Sequence, residues 1–533
     1  MNLNSLPHNK FCTKSSILTV LLGASLLFSL SVVHAQSYWT KPEEWKEQQP
    51  SFPKSNERNW VFTPGAHLRL SYNHVENTVD LDTRKNDDKT SYLGAAYDFT
   101  FAFSHICGLQ AYMFVERRGR ADYDAPIAGN RSIHSLFGRY QWYTESALTP
   151  RIREYYFKVP LNSTQDVQYK FGLYPYAREV GHGIALGGKY ENYGMTTSGL
   201  TELFDWNLHW EKEDLNNRIH LGKVIDHEKV NRFNDTSAYF SAGDVTFKSG
   251  KQRWQFYAGW LYDTTPQNAR SNLFNTNAKR EDLITPGQYL QLQFDRLNLG
   301  FESARNFGQA NGVNGTRDIK HEGYFLMGDA SYDLGSFKPK TKVIVASGNK
   351  FDNRNFNQAT VTGDKNRAFS VFSPLNTNLT DTHYQKQFGP YVAMAGGYAV
   401  NFGVARPGTF GDPFLFENII AGTLGFDYTP YNKVYIGIDY WYLRSKEPGY
   451  GLDRGGAVKR LSTDLGHELD LFASYQLTKN TKVSLLTGYF MPGAYYKEIR
   501  SDTAANNIFA PTPRRDGEAD PAFQVELGFD ITF

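Results

Sequence analysis

Ala522-Phe523-Gln524-Val525-Glu526-Leu527-Gly528-Phe529-Asp530-Ile531-Thr532-Phe533, the end of the chain, is the stretch that decides the fold class. In an extended strand successive side chains point to opposite faces. Phe523, Val525, Leu527, Phe529, Ile531 and Phe533 therefore share one face, and Gln524, Glu526, Gly528, Asp530 and Thr532 the other. An apolar face backed by a polar and charged one, with an aromatic last residue, is the pattern of a strand between lipid and a wet lumen. One soluble sandwich strand alternates just as well, so the weight falls on repetition.

The pattern recurs upstream. Leu469, Leu471, Ala473, Tyr475 and Leu477 alternate with Glu468, Asp470, Phe472, Ser474 and Gln476, and after a turn at Thr478-Lys479-Asn480 the alternation resumes at Val483, Leu485, Thr487, Tyr489 and Met491. Ile420 to Tyr428 and Val434 to Tyr442 form a similar pair across Pro430-Tyr431-Asn432, and Trp254, Phe256, Ala258, Trp260 and Tyr262 follow Ser249-Gly250-Lys251. Connections alternate in length: Pro492 to Pro521 is long, Thr478 to Thr481 short, Arg444 to Leu465 long, Pro430 to Asn432 short. Upstream, Gly335 to Lys340 and Asp295-Arg296 read as short, Gly348 to Phe388 and Thr264 to Pro286 as long. Short periplasmic turns alternating with long outer loops are a property of membrane barrels, not of soluble sheets. The fold class predicted is all-β, a transmembrane antiparallel up-and-down β-barrel with about 18 strands (16–20) and long extracellular loops.

Composition agrees. Hydrophobic residues make up only 40% of 533, aromatics reach 15%, and 46 glycines accompany 34 Tyr and 38 Phe, too little aliphatic mass for one compact soluble core of this size. Two cysteines exclude a disulfide scaffold and a thiolate zinc cluster. Lys10 and Lys14 precede an apolar run from Ile17 to Val33 and the Val33-His34-Ala35 cleavage pattern, so residues 1–35 read as a secretory signal peptide. Without Lys10 and Lys14 the 57 basic residues fall to 55, equal to the acidic ones, which leaves no basic excess for nucleic acid. Residues 36–59 are Pro-rich and polar, with Thr40 and Glu43 at capping-box spacing, and read as a periplasmic segment ahead of a barrel over 60–533. Export without a helical span places such a barrel in the outer membrane of a Gram-negative bacterium, in contact with its lipid.

Leu465-Gly466-His467-Glu468-Leu469-Asp470-Leu471, then Gly488-Tyr489-Phe490-Met491-Pro492-Gly493, with Arg406-Pro407-Gly408, Asp427-Tyr428-Thr429-Pro430 and Gly437-Ile438-Asp439-Tyr440 upstream in that order, resembles the bacterial alginate-export outer-membrane family. The resemblance covers roughly Thr341 to Phe533. It implies an eighteen-stranded barrel that passes a secreted anionic polysaccharide, with periplasmic export components as candidate partners. The alternative is a general or substrate-specific diffusion porin for small hydrophilic solutes.

The period-two phase assigns pore-lining residues. Arg69, Arg151, Arg153, Lys170, Arg218 and Arg253 form a basic set in the N-terminal half. Asp427, Asp439, Glu468, Asp470, Glu526 and Asp530 form an acidic set near the C-terminus, expected to oppose the basic one across the lumen. Glu116 and Asp205 on the basic side and Lys482 on the acidic side blur this segregation. An exporter of polyanions needs a basic pathway, whereas a diffusion porin shows both signs. In Tyr174-Pro175-Tyr176-Ala177-Arg178-Glu179-Val180-Gly181-His182-Gly183 the glycines permit a sharp infolding that would bring Arg178, Glu179 and His182 to a constriction; an ordinary outer loop is the alternative.

Enzymatic signatures are missing: there is no Gly-x-Ser-x-Gly elbow, His-Glu-x-x-His helix or Walker loop. Asp205, Asn207 and His209 share one strand face and read as a polar lumen stripe. Asp352-Asn353-Arg354-Asn355 has oxygens suited to calcium but reads as a solvated turn. The expectation is a passive channel, not an enzyme, with no cofactor and no resident metal.

Overall fold

The computed structural model describes residues 60–77, 89–105, 107–122, 151–160, 168–173, 181–182, 185, 198–199, 215–223, 225–226, 238–263, 279–313, 317–348, 365–367, 418–448, 450–452, 458–502 and 518–533. The expected signal peptide and periplasmic segment, Arg178 and Glu179, the Asp205 stripe and the Asp352 turn lie outside these residues.

One antiparallel ladder carries the fold. Its strands are β1 (Trp60–Glu76), β2 (Thr90–His105), β3 (Gln110–Asp122), β4 (Arg151–Pro160), β5 (Gln168–Leu173), β6 (Leu215–Lys223), β7 (Ala238–Ser249), β8 (Gln252–Asp263) and β9 (Arg280–Phe294). They continue as β10 (Leu297–Arg305), β11 (Tyr324–Tyr332), β12 (Phe337–Ala346), β13 (Ile419–Tyr431), β14 (Val434–Ser445), β15 (Asp464–Thr478), β16 (Thr481–Pro492) and β17 (Ala522–Thr532). Each pairs antiparallel with the next from β1 to β5 and from β6 to β17. β17 in turn pairs antiparallel with β1, in the register Arg69↔Asp530 and Asn73↔Glu526. First and last strands are thus neighbours, as an up-and-down barrel requires. The two ends of the described ladder, β5 and β6, run in the same sense by this alternation.

Connections between the described strands follow the predicted rhythm, with three differences, one being that the connection read as Gly348 to Phe388 separates Ala346 from Ile419 in the ladder. The β11–β12 turn occupies 333–336, not Gly335 to Lys340. Asp333 accepts a hydrogen bond from the Gly335 N–H at 2.8 Å, Leu334 N–H donates to Phe337 O at 2.9 Å, and Gly335 takes φ +84°, so pairing begins at once and Lys338 and Lys340 become strand residues. β9 likewise starts at Arg280, within the stretch expected to be loop; Pro286 sits inside it opposite Ala258 although it has no N–H for the ladder. Two elements were not anticipated. Phe307–Val313 continues β10 beyond Asn306, still paired with β9, and forms a hairpin with Arg317–His321. A helix, α1 (Ala494–Asp502), follows β16.

The sheet is inside out relative to a soluble protein. Leu424 is 70% exposed, and Phe247, Trp254, Trp260, Phe301, Val343, Leu469 and Leu527 are exposed beside it on the apolar phase. On the opposite phase Arg69, Asp244, Gln255, Glu302, Glu468, Glu526 and Asp530 are buried. In water this exposed apolar area would cost roughly 25 cal/mol per Å². In a bilayer the cost vanishes, and every strand of the ladder except β5, with 6 residues, has the roughly 9–11 residues or more that a tilted strand needs to cross it. No described helix is long and apolar enough to cross a membrane. The described strands have the all-β, antiparallel up-and-down architecture of a transmembrane β-barrel, with the apolar face outward.

Candidate functional site

Polar side chains on the buried face form three described clusters. The first lies on the seam between the first and last strands. Arg69 Nη1 donates to both carboxylate oxygens of Asp530 at 2.9 Å, and its Nη2 donates to Glu526 Oε1 at 2.6 Å. His67 Nε2 lies 3.1 Å from Asp530 Oδ1, and Lys482 stands opposite Asp530 in the β16–β17 register. Cross-strand register causes this meeting: alternation turns Arg69, Glu526 and Asp530 to one face, and the β17–β1 ladder sets them side by side.

In the second cluster Lys340 of β12 bridges Asp427 of β13 at 2.8 Å and Asp439 of β14 at 3.0 Å, while Tyr435 donates its hydroxyl to Asp427 at 2.6 Å. Gly425 lies opposite both Lys340 and Asp439 in the ladder, and a Cβ on it would fall 2.0 Å from Asp439 Oδ1 and 2.4 Å from the Ile438 carbonyl oxygen. The missing side chain opens room for the ion pair. Asp470 faces Asp439 in register, and Lys342 lies within electrostatic reach of Asp329 and Asp439.

The third cluster holds His182, which belongs to no strand. Its Nδ1 lies 2.7 Å from Glu302 Oε2 and its Nε2 lies 2.9 Å from Asp329 Oδ2. An imidazolium, which donates from both ring nitrogens to carboxylates that accept, satisfies both contacts at once. Burial alone would lower its pKa; the hydrogen bonds to Asp329 and Glu302 and their charges outweigh that and hold it above the ordinary value. The backbone is pinned too: Gly181 N–H donates to Gln255 Oε1 at 2.9 Å and His182 N–H to Glu302 Oε2 at 2.7 Å. Tyr257 donates to Glu302 Oε1 at 2.7 Å, Gln255 Nε2 to Asp244 at 2.8 Å, and the ring meets Tyr289 edge-on at 4.8 Å. Gly181 is required here, since it adopts φ +55° and a Cβ would sit 2.3 Å from Glu302 Oε1.

At the long-connection end, α1 packs on the same wall. Tyr496 is buried edge-on against Phe490 at 5.7 Å, Ala494 N–H donates to Asp464 Oδ2 at 3.2 Å, and Ser462 N–H donates to Glu498 Oε2 at 2.6 Å. Burial, with Tyr495 and Glu468 nearby, pushes the Tyr496 phenol well above its usual range.

Among the residues assigned to a basic wall, Arg69 does not face the acidic set from across the barrel; it is bonded to two members of that set. Arg253 donates from Nη2 to Gln255 Oε1 at 3.0 Å and lies over the Tyr289 ring, in the His182 cluster. Arg151, Arg153, Lys170 and Arg218 belong to strands, but their side chains are outside the described ones. Among the acidic set, Asp427 and Asp439 meet on Lys340, Glu526 and Asp530 meet on Arg69, Glu468 is buried near Tyr496, and Asp470 is buried beside Asp439. The sequence reading missed Glu302, Asp329, Lys340, Lys342 and Gln255. The available signal was their phase: Glu302 follows Phe301, and Asp329 lies on the phase opposite Leu326.

No family model and no curated protein matches the chain. Among solved structures it is similar to OccK11 (OpdR) of Pseudomonas aeruginosa at 10% identity and TM-score 0.47, over 90% of this chain and 99% of that one. It is also similar to OccAB4 of Acinetobacter baumannii at 9% identity and TM-score 0.47, over 90% of this chain and 100% of that one. A third is OccK2 (OpdF) of Pseudomonas aeruginosa, solved in complex with glucuronate, at 8% identity and TM-score 0.47, over 89% of this chain and 98% of that one.

Proposed function

We propose that the protein is a passive outer-membrane channel for small hydrophilic solutes, a diffusion porin with side-chain selectivity at its wall. One observation carries this reading: the buried face of a sheet whose other face is apolar and exposed is lined with ionised and hydrogen-bonding groups of both signs. Side chains of this kind select solutes by charge and hydrogen bonding without chemistry. Export of an anionic, alginate-like polysaccharide, the function implied by the sequence resemblance, is the second reading. It is weaker because a polyanion needs a run of uncompensated cations, and here Arg69, Lys340, Lys342 and Lys482 each stand beside a carboxylate.

Purified protein reconstituted into planar bilayers tests both. A diffusion porin gives stepwise, ohmic conductance that polyuronate does not block. An exporter gives anion preference and block by polyuronate, relieved by neutralising Arg151, Arg153 and Arg253. Folded protein that forms no conductance overturns the channel reading altogether.

A further inference from the structure

The His182 cluster is an insertion seated on the wall rather than part of it. Four hydrogen bonds tie two consecutive residues to side chains of three strands: Gln255 of β8, Glu302 of β10 and Asp329 of β11. The two carboxylates differ in access. The Glu302 side chain is 0% exposed, whereas that of Asp329 is 36% exposed, so one arm of the clamp is sealed and the other faces the open side. Each described element packed against the His182 ring contributes a polar group. β8 supplies Arg253, Gln255 and Tyr257, β9 supplies Tyr289, β10 Glu302 and β11 Asp329, with Asp244 of β7 behind Gln255 and Lys342 of β12 beside Asp329.

We propose that His182 sets the charge selectivity of the channel by acting as the counter-charge of Glu302 and Asp329, a two-carboxylate site on the wall that takes small cations when the imidazolium charge is lost. This rests on the channel reading above. With His182 protonated, one positive charge lies between two negative ones and Lys342 offsets much of the remainder. With His182 neutral, one ring nitrogen becomes an acceptor facing a carboxylate, one hydrogen bond is lost, and Glu302 and Asp329 against Lys342 leave one net negative charge at the cluster. The direction follows from the raised pKa: the clamp is complete below the ordinary histidine range and fades as pH rises through the raised value.

The test is the reversal potential in a potassium chloride gradient across planar bilayers, for the wild type, His182→Gln, Asp329→Asn and the double variant, between pH 5 and 9. The wild type is expected to gain cation preference as pH rises. His182→Gln is expected to show the high-pH selectivity at every pH, and Asp329→Asn in the same chain to abolish the gain. One unit charge about 8 Å from the ion path in a water-like dielectric changes the cation-to-anion permeability ratio by roughly two- to five-fold. The far-ultraviolet β signal of each variant checks folding, and single-channel conductance separates loss of the channel from loss of selectivity. A folded, conducting His182→Gln protein with wild-type reversal potentials at all pH values overturns the proposal. A folded wild type that conducts nothing overturns the channel reading, and this inference falls with it.

Discussion

Replacing Arg69 by Met removes the cation from the seam on which β1 and β17 meet. Three charge-assisted hydrogen bonds disappear, two to Asp530 at 2.9 Å and one to Glu526 at 2.6 Å. The magnitude depends on access to water. An exposed pair would contribute about 0–1 kcal/mol, but the side chains of Arg69, Asp530 and Glu526 are only 7%, 1% and 8% exposed. Breaking a buried pair from one side costs about 3–5 kcal/mol, because the stranded carboxylates keep their desolvation penalty without compensation. Met preserves most of the stem volume, so packing loss adds little. His67 and Lys482 remain near Asp530, which favours the lower end of that range. The assay is urea unfolding of the refolded barrel in phospholipid vesicles, followed by tryptophan fluorescence. Arg69→Met should lose about 3 kcal/mol. The triple variant with Glu526→Gln and Asp530→Asn should recover most of the loss, since it strands no charge. A loss below about 1 kcal/mol for the single variant would mean that lumen water solvates these carboxylates and that the seam is not held by the ion pair.

Leu424→Arg should cost about 2–4 kcal/mol in vesicles if β13 crosses the bilayer at that residue, although a site that is 70% exposed would tolerate the change in a soluble sheet; equal stability in vesicles would refute the assigned faces. Gly425→Ala should destabilise the barrel by about 1–3 kcal/mol, because the new methyl meets the Ile438 carbonyl oxygen at 2.4 Å; unchanged urea midpoints would show that the wall relaxes freely there. Lys340→Met leaves Asp427 and Asp439 without their shared cation and should move the reversal potential toward cation preference. No movement would place those carboxylates off the ion path.

The faces of the sheet were legible because alternation is a local property. Leu469 against Glu468, or Phe529 against Asp530, needs only the phase of one strand, and the observed burial follows that phase. Charge neighbours were not legible, because they depend on which strand lies beside which and in what register. Arg69 and Asp530 are 461 residues apart and were expected to oppose one another, yet the β1–β17 ladder makes them direct partners. Lys340 falls inside the short connection read over Gly335 to Lys340; the Asp333–Gly335 hydrogen bond closes the turn before Phe337 instead. His182 was singled out by its flanking glycines, but its partners Glu302 and Asp329 lie 120 and 147 residues further on, beyond any sequence spacing. The helix α1 begins Ala494-Tyr495-Tyr496-Lys497 with no acidic residue in its first turn, so its start carries no charge signal.

Overall neutrality therefore constrains the channel little. A chain with equal numbers of acids and bases produces a strong local field wherever a charge is accessible and its partner is not close enough to cancel it. On the described wall most charges are spent on one another across strands, and Glu302 and Asp530 are sealed from solvent. In the Lys340 and His182 clusters the side chains of Asp329, Lys340 and Asp439 are 36%, 28% and 27% exposed, on strands β11, β12 and β14. Two of these three charges are acidic, and Asp329 is in contact with His182, so on the proposed reading the protonation of one imidazole sets whether this part of the wall is nearly neutral or net negative.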